Sequence, residues 1–173
     1  PMSRSECFLH RKECFDLLRA RGYVVSSEEP VDYAIPFLDL VHHGPYQVAP
    51  DQGNGHAVGI PIPLFNLVYH DSILLPWDMG ERGGWGIPQE DAGRLHCLLN
   101  GGLPYAGPGV SEADIERIHE AANLAKRVAT QEMVDHQFLD GNRRKQRTVY
   151  EDGTTVTVDF DTREYAIEPA SGK

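Results

Sequence analysis

The chain of 173 residues has no apolar run approaching the roughly 20 residues that a membrane-crossing helix needs. It is also short of positive charge, with 16 Lys and Arg against 26 Asp and Glu, a net charge of -10. Its longest basic block is Arg143-Arg-Lys145. That argues against a nucleic-acid protein, whose affinity rests on clustered Lys and Arg. Cys7, Cys14 and Cys97 are an odd set without paired short spacings, so they make neither a zinc site nor a disulfide framework, and buried free thiols are expected. There is no internal repeat and no low-complexity tract. What is present is an ordinary globular composition with Gly and Pro crowded between Pro45 and Gly109. The length suits one medium domain, or one domain with part of another.

The chain is organised around Ile60-Pro-Ile-Pro-Leu-Phe-Asn-Leu-Val-Tyr-His-Asp-Ser-Ile-Leu-Leu-Pro-Trp77. Leu64 to Val68 is apolar without a helical repeat, and Pro61, Pro63 and Pro76 disfavour one continuous helix. A short buried strand is expected, delivering Tyr69, His70 and Asp71 where the apolar run stops. Trp77, Asp78 and the glycine-rich Gly80-Glu-Arg-Gly-Gly-Trp-Gly86 follow. Strands of α/β barrels present chemistry in this way. The plain alternative is a core strand closed by a hydrogen-bonded His-Asp pair.

Ahead of it, Ser5 is placed to cap a helix from Glu6, with Phe8, Lys12, Phe15 and Arg19 along one side and Gly22 as its stop. Tyr23-Val-Val25 reads as a strand that opens into Ser26-Ser-Glu-Glu-Pro30. Alternation along a strand sends Glu28 and Glu29 to opposite faces, so one serves chemistry at most. An exposed acidic turn closed by Pro30 accounts for them equally well. Val31 to Val41 suits a short helix or broken turn. His42-His43 invites a metal, but adjacent histidines chelate one ion poorly. Pro45 to Gly59 is a long loop.

Further on, Pro88 suits the first residue of a helix running to Leu99 and ended by Asn100-Gly-Gly102. Ser111 and Asp114 cap a helix with apolar spacing as far as Met133. From Gln146 the period changes. Arg147-Thr-Val-Tyr150 and Thr154-Thr-Val-Thr-Val-Asp-Phe160 make a hairpin around Asp152-Gly153, and Arg163 to Ile167 adds a third strand.

Several of these blocks, in this order, resemble glycoside hydrolases related to endo-α-N-acetylgalactosaminidase: Met2-Ser-Arg4, Val24-Val-Ser-Ser-Glu-Glu29, Asp32-Tyr-Ala-Ile-Pro36, Pro63-Leu-Phe-Asn-Leu-Val-Tyr-His70 and the hairpin 147–160. The resemblance implies an α/β chain: the C-terminal portion of a (β/α)8 TIM-type barrel over 1–140, then the first antiparallel strands of a β-sandwich domain over 141–173. It also implies a retaining glycosidase. In such enzymes a carboxylate nucleophile ends one barrel strand and a glutamic acid/base ends the next. The acid/base role falls on Glu28. The nucleophile is then expected before Pro1, which makes this chain an excerpt that needs the remainder of its parent. Where the familiar pattern often has small glycines, Glu29 and Pro30 stand.

On this reading the substrate is a carbohydrate, contacted by Tyr69, His70, Asp71, Trp77 and Asp78, with Trp85 as a further stacking candidate. Neither cofactor nor metal is called for, and neither nucleic acid nor membrane is a partner. Two other readings are carried. One is a metal-dependent hydrolase using His70 and Asp71 with His42, His43 and His56. The other is a non-catalytic carbohydrate-binding barrel, which keeps the aromatics without paired carboxylates.

Overall fold

A computed structural model describes residues 2–28, 31–42, 62–78, 93–107 and 110–169. Helix α1, Arg4–Ala20, starts two residues earlier than a Ser5 cap would allow. Ser3 is the cap because Glu6 stands three residues on: the Ser3 hydroxyl accepts from the Glu6 amide at 3.2 Å, and the Glu6 carboxylate accepts from the Ser3 amide at 2.7 Å. At the other end Gly22 takes a left-handed φ of 75°. There the Gly22 amide donates to Arg19 and the Tyr23 amide to Leu18, which ends the helix.

Because the Tyr23 amide is used in that stop, the expected strand over Tyr23-Val-Val25 does not form. Tyr23 and Val24 are exposed, and pairing begins only at β1, Ser26–Ser27. A 3-10 helix, Asp32–Phe37, leads to β2, Leu40–Val41, which pairs in parallel with β1. The side of α1 singled out from spacing is the one that docks here. Phe15 stacks on Phe37 at 5.8 Å, Phe8 meets Tyr33 edge-on at 5.3 Å, and Lys12 lies over the Phe37 ring.

The stretch Leu64–Tyr69 is a short helix, α2, and not the strand expected. Its inward positions explain the misreading. Asn66 and His70, one turn apart, are buried while Leu64 and Val68 are exposed. The polar residues face in, so no apolar period was there to find. Pro63 stands at the start of the helix, where a missing amide costs little, and Pro76 comes beyond its end. The chain then runs through Leu74, which bridges Leu40 in parallel, into β3, Pro76–Asp78. Helix α3, Gly93–Leu99, follows, then β4, Leu103–Tyr105, parallel to β3. The residues around β1, β2, β3 and β4 thus lie side by side, all parallel, in chain order.

Helix α4, Glu112–Val128, carries the Ser111–Asp114 capping box. It stops at Val128, short of the Met133 suggested by periodicity. Met133 kept the apolar spacing because it enters the same core from a strand, at 2% exposure. The antiparallel sheet has four strands in sequential order: β5 Met133–Leu139, β6 Asn142–Tyr150, β7 Thr155–Asp159 and β8 Glu164–Glu168. The strand missed from sequence is joined by Asp140-Gly141, whose φ values of 54° and 67° suit a two-residue primed turn. Tyr150, Val156 and Val158 face inward and pack with Leu95, Leu98 and Leu99 of α3 and Ala121, Leu124 and Val128 of α4, and Gln146 and Thr148 are buried as well. A second cluster, Val25, Ala34, Ile35, Leu38, Val41, Ile73 and Leu75, lies under the parallel segments.

The two clusters meet at the C-terminal end of α3, where every late carbonyl is satisfied. The Gly101 amide donates to Leu98 and the Gly102 amide to Cys97. Asn100 Nδ2 donates to His96 O at 2.8 Å, and Asn66 Nδ2 donates to Asn100 Oδ1 at 2.6 Å. From the sheet, Thr148 Oγ1 donates to Leu99 O at 2.7 Å, and Tyr150 Oη reaches the same oxygen at 3.3 Å. His70 closes the set, with Nε2 3.1 Å from Asn100 O and Nδ1 2.8 Å from Gln131 O.

Gly101, at φ 59°, sits in the middle of this junction. A Cβ there would lie 2.7 Å from His70 Nε2 and from Tyr150 Oη, and 2.8 Å from a Val128 methyl. At Gly22 a Cβ would meet nothing within 4 Å. Both Gly→Ala variants therefore carry the left-handed backbone cost of about 1–2 kcal/mol. Gly101→Ala adds overpacking of about 1–3 kcal/mol. Urea unfolding of the two variants checks this, with Gly101→Ala expected to be the less stable by that second amount.

His70 gives a pH dependence. Burial pushes its pKa below the ordinary value, and the carbonyls of Gln131 and Asn100, with the Asp71 charge, pull the other way by less. The folded ring then binds a proton less readily than the unfolded one. Stability is kept while the ring is neutral and is lost as pH falls below about 6.5. Burial lowers His136 likewise. The urea midpoint should drop between about pH 7.5 and about pH 5.5, and the drop should shrink in His70→Gln. An unchanged drop in that variant would show that His70 does not carry it.

Candidate active site

Parallel segments present all their C-terminal ends along one edge, and this edge gathers the chemistry. Glu28 follows β1 directly and is exposed. Its neighbour across the pair is His42, because Ser27 is in register with Val41 and the His42 amide donates to Ser27 O at 2.8 Å. Asp78 ends β3 in register with Tyr105, the exposed last residue of β4. Through the Leu40–Leu74 bridge Glu28 is level with Pro76, so the Asp78 backbone lies two strand spacings across and two residues further along, roughly 12 Å away. The edge therefore carries a glutamate, a histidine, an aspartate and a tyrosine, the side-chain types that exchange protons and bind hydroxyl groups. The Glu28 side chain is open to solvent.

The other residues singled out from sequence lie elsewhere. Tyr69, His70 and Asp71 were expected at the end of a strand. They come instead at the end of α2, before the chain enters β3, on the opposite side of the parallel segments from Glu28. The Tyr69 ring packs on Phe65 at 5.2 Å. His70 is 5% exposed, and both its ring nitrogens face carbonyls. Asp71 is exposed and accepts from Ser72 Oγ at 2.9 Å. Trp77 is 1% exposed and stacked on His96 at 6.3 Å, facing α3 in the core. Its ring offers no face to a sugar in this arrangement. The edge thus holds the backbones of Glu28 and Asp78 and leaves Tyr69, His70, Asp71 and Trp77 to packing, to the end of α2 or to the far side.

Glu29, His43, His56 and Trp85 lie outside the described residues. Tyr105 was missed, because Leu103-Pro-Tyr105 is too short to carry a strand period. The signal available was its position directly after a glycine-ended helix. Among the described residues no three His, Cys, Asp or Glu side chains are grouped to hold a metal ion. No helix among them is long and apolar enough to cross a membrane. Cys97 is buried, and its thiol is pushed well above the ordinary range by desolvation, which leaves it unreactive.

No protein-family model matches the chain, and no curated protein does. Solved structures of the α-N-acetylgalactosaminidase NagBb from Bifidobacterium bifidum do match. Its quadruple mutant is 41% identical with a TM-score of 0.82, over 96% of this chain and 27% of that one. Its complex with GalNAc is 40% identical with a TM-score of 0.82, over 99% and 28%. The ligand-free form is 42% identical with a TM-score of 0.81, over 96% and 27%. The resemblance carried by the sequence blocks is thus met by a mixed helix-and-sheet region of a glycoside hydrolase. Over nearly all of its length the chain is the structural counterpart of about a quarter of an α-N-acetylgalactosaminidase chain.

Proposed function

We propose that this chain is part of a glycoside hydrolase that cleaves O-glycosidic bonds at an α-linked N-acetylgalactosamine, by a retaining double displacement with Glu28 as acid/base. The observation that carries this is the 40% identity to NagBb, with a TM-score of 0.82 over 99% of the chain. The parallel segments in chain order, each followed by helical structure, support reading 1–140 as the C-terminal portion of a (β/α)8 barrel. The antiparallel sheet supports reading the last part, 141–173 with β5 just before it, as the opening of a β-sandwich domain.

In this mechanism Glu28 protonates the leaving glycosidic oxygen and later takes a proton from the water that releases the glycosyl-enzyme. The carboxylate nucleophile, roughly 5–5.5 Å from it, comes from a part of the parent chain outside these residues. Of the other sequence candidates, Asp78 is kept as a substrate contact because its backbone ends β3 on the edge that bears Glu28. The metal-hydrolase alternative is weakened, since it needs His70, whose ring nitrogens face two carbonyls.

The test is made in the full-length enzyme. Glu28→Gln should slow glycosylation by about 10²–10⁴-fold for substrates with poor leaving groups, which need protonation. Activated aryl glycosides, which do not, should lose much less. Azide should restore deglycosylation, because it attacks without a general base. Glu29→Gln should do neither. If Glu29→Gln shows the leaving-group dependence instead, the acid/base is one residue further on. If neither does, the glycosidase reading of this loop fails.

A further inference from the structure

The strand that carries Glu28 is only two residues long, and its ladder to β2 is two register pairs, Ser26 with Leu40 and Ser27 with Val41. So short a ladder sets its own register weakly. A slip of one residue would turn Glu28 to the opposite face, because side chains alternate along a strand. Contacts beyond the two pairs have to fix it: Val25 is buried in the cluster beneath, the Leu40 amide lies 3.4 Å from Val25 O, and Asp39 adds a side-chain clamp. Asp39 takes both backbone groups of Val25: its carboxylate Oδ2 accepts from the Val25 amide at 2.8 Å, and its own amide donates to Val25 O at 2.8 Å. The residue so held is also the one of this segment that faces the core, since Val25 is buried while Val24 and Ser26 are exposed. The same Asp39 accepts the Leu74 amide at its carbonyl, 3.1 Å away, so it ties β1 and β2 to the entry of β3.

Arg19, in the last turn of α1, holds the carboxylate in place. One guanidinium nitrogen donates to Asp39 Oδ1 at 2.8 Å and another to Pro36 O at 3.0 Å. Both oxygens of Asp39 are thereby committed, one to the strand and one to the helix. We propose that Asp39, braced by Arg19, is a positioning residue for catalysis: it fixes the register of β1 and so sets Glu28 on the catalytic edge. This rests on the acid/base reading of Glu28. Neither Asp39 nor Arg19 touches substrate in this account.

A double-mutant cycle in the full-length enzyme tests it. Asp39→Ala should lower kcat by about 10²-fold for substrates with poor leaving groups, the scale of a misplacement of about 1 Å. It should lower it far less for activated aryl glycosides, the split that marks loss of the proton donor and that general loosening would not produce. Asp39→Asn keeps an acceptor for only one of the two donors, and about tenfold is expected. In the Glu28→Gln background, Asp39→Ala should change the rate by no more than about twofold, because the group it positions is already gone. A full Asp39→Ala loss in that background overturns the proposal and leaves Asp39 as a stability residue. A Glu28→Gln variant that behaves like wild type overturns the acid/base reading itself, and this inference with it. Should Asp39→Ala fail to fold, Asp39→Asn and Arg19→Ala carry the same cycle. Exchange of the Val25 amide, faster in both variants, then reports the loosened strand directly, and unchanged exchange counts against the proposal.

Discussion

The carbonyl groups at the end of α3 are the constraint on which the two halves of the structure depend. A buried helix terminus must find donors for its last carbonyls, or bear about 1–3 kcal/mol for each one left dry. Here the donors come from everywhere around it. Asn100 folds back on His96, Asn66 of α2 holds Asn100, and Thr148 and Tyr150 reach across from the sheet to Leu99. The helix is only seven residues long, so little of its stability is its own. It exists because its neighbours complete it, and they are placed relative to one another because it does. The sheet cannot tilt against the parallel segments without breaking hydrogen bonds in a place no water reaches easily. Gly101 is part of the same arrangement, since the turn that ends α3 has room for nothing larger.

That junction lies on the far side of the parallel segments from Glu28. On the proposed assignment, function and stability are divided between the two ends of the strands, as in barrels. Glu28 and Tyr105 are exposed and His42 is half-buried, whereas the residues at the other end are committed to each other. The division also explains why a conspicuous run such as Tyr69-His-Asp71 can be rich in reactive side chains and still belong to the scaffold. A histidine between two carbonyls and a tyrosine against a phenylalanine are used up by packing.

Much of the fold was legible. Both long helices, their faces, the Ser111–Asp114 cap, the 3-10 segment and the hairpin around Asp152-Gly153 follow from local rules that act within a few residues. The failures share one cause, which is that burial was decided by distant partners. Leu64–Tyr69 hid its helix because its inward residues are Asn66 and His70, whose partners lie about 30 residues or more away. Met133 extended an apparent helix because strand and helix feed one core. Tyr23-Val-Val25 has the composition of a strand, yet its first residue is needed to close α1. For the proposed site, family likeness chooses Glu28, since alternation alone cannot choose between Glu28 and Glu29. Asp78 is named from the sequence only as following Trp77, and the strand that it ends, β3, is not read there. Asp39 was not legible, because what makes it unusual is that it bonds both sides of one distant peptide unit, and no local spacing encodes that.

The attachment of α1 has a consequence for the order in which this molecule comes apart. The helix spans 17 residues and buries none of them, whereas α4, of the same length, buries Ala121, Leu124, Ala125 and Val128. It is held by edge and stacking contacts of Phe8 and Phe15 and by the Arg19 fork, all at or near solvent. Free energy of local opening follows buried contact, so α1 forms the shallowest unit of the structure and the α3–α4–sheet body the deepest. Within this segment taken by itself, the first local opening therefore frees α1 while the rest persists. Since Arg19 rides on that helix, the same opening releases the brace on Asp39. The β1 end then loosens before the α3–α4–sheet body does.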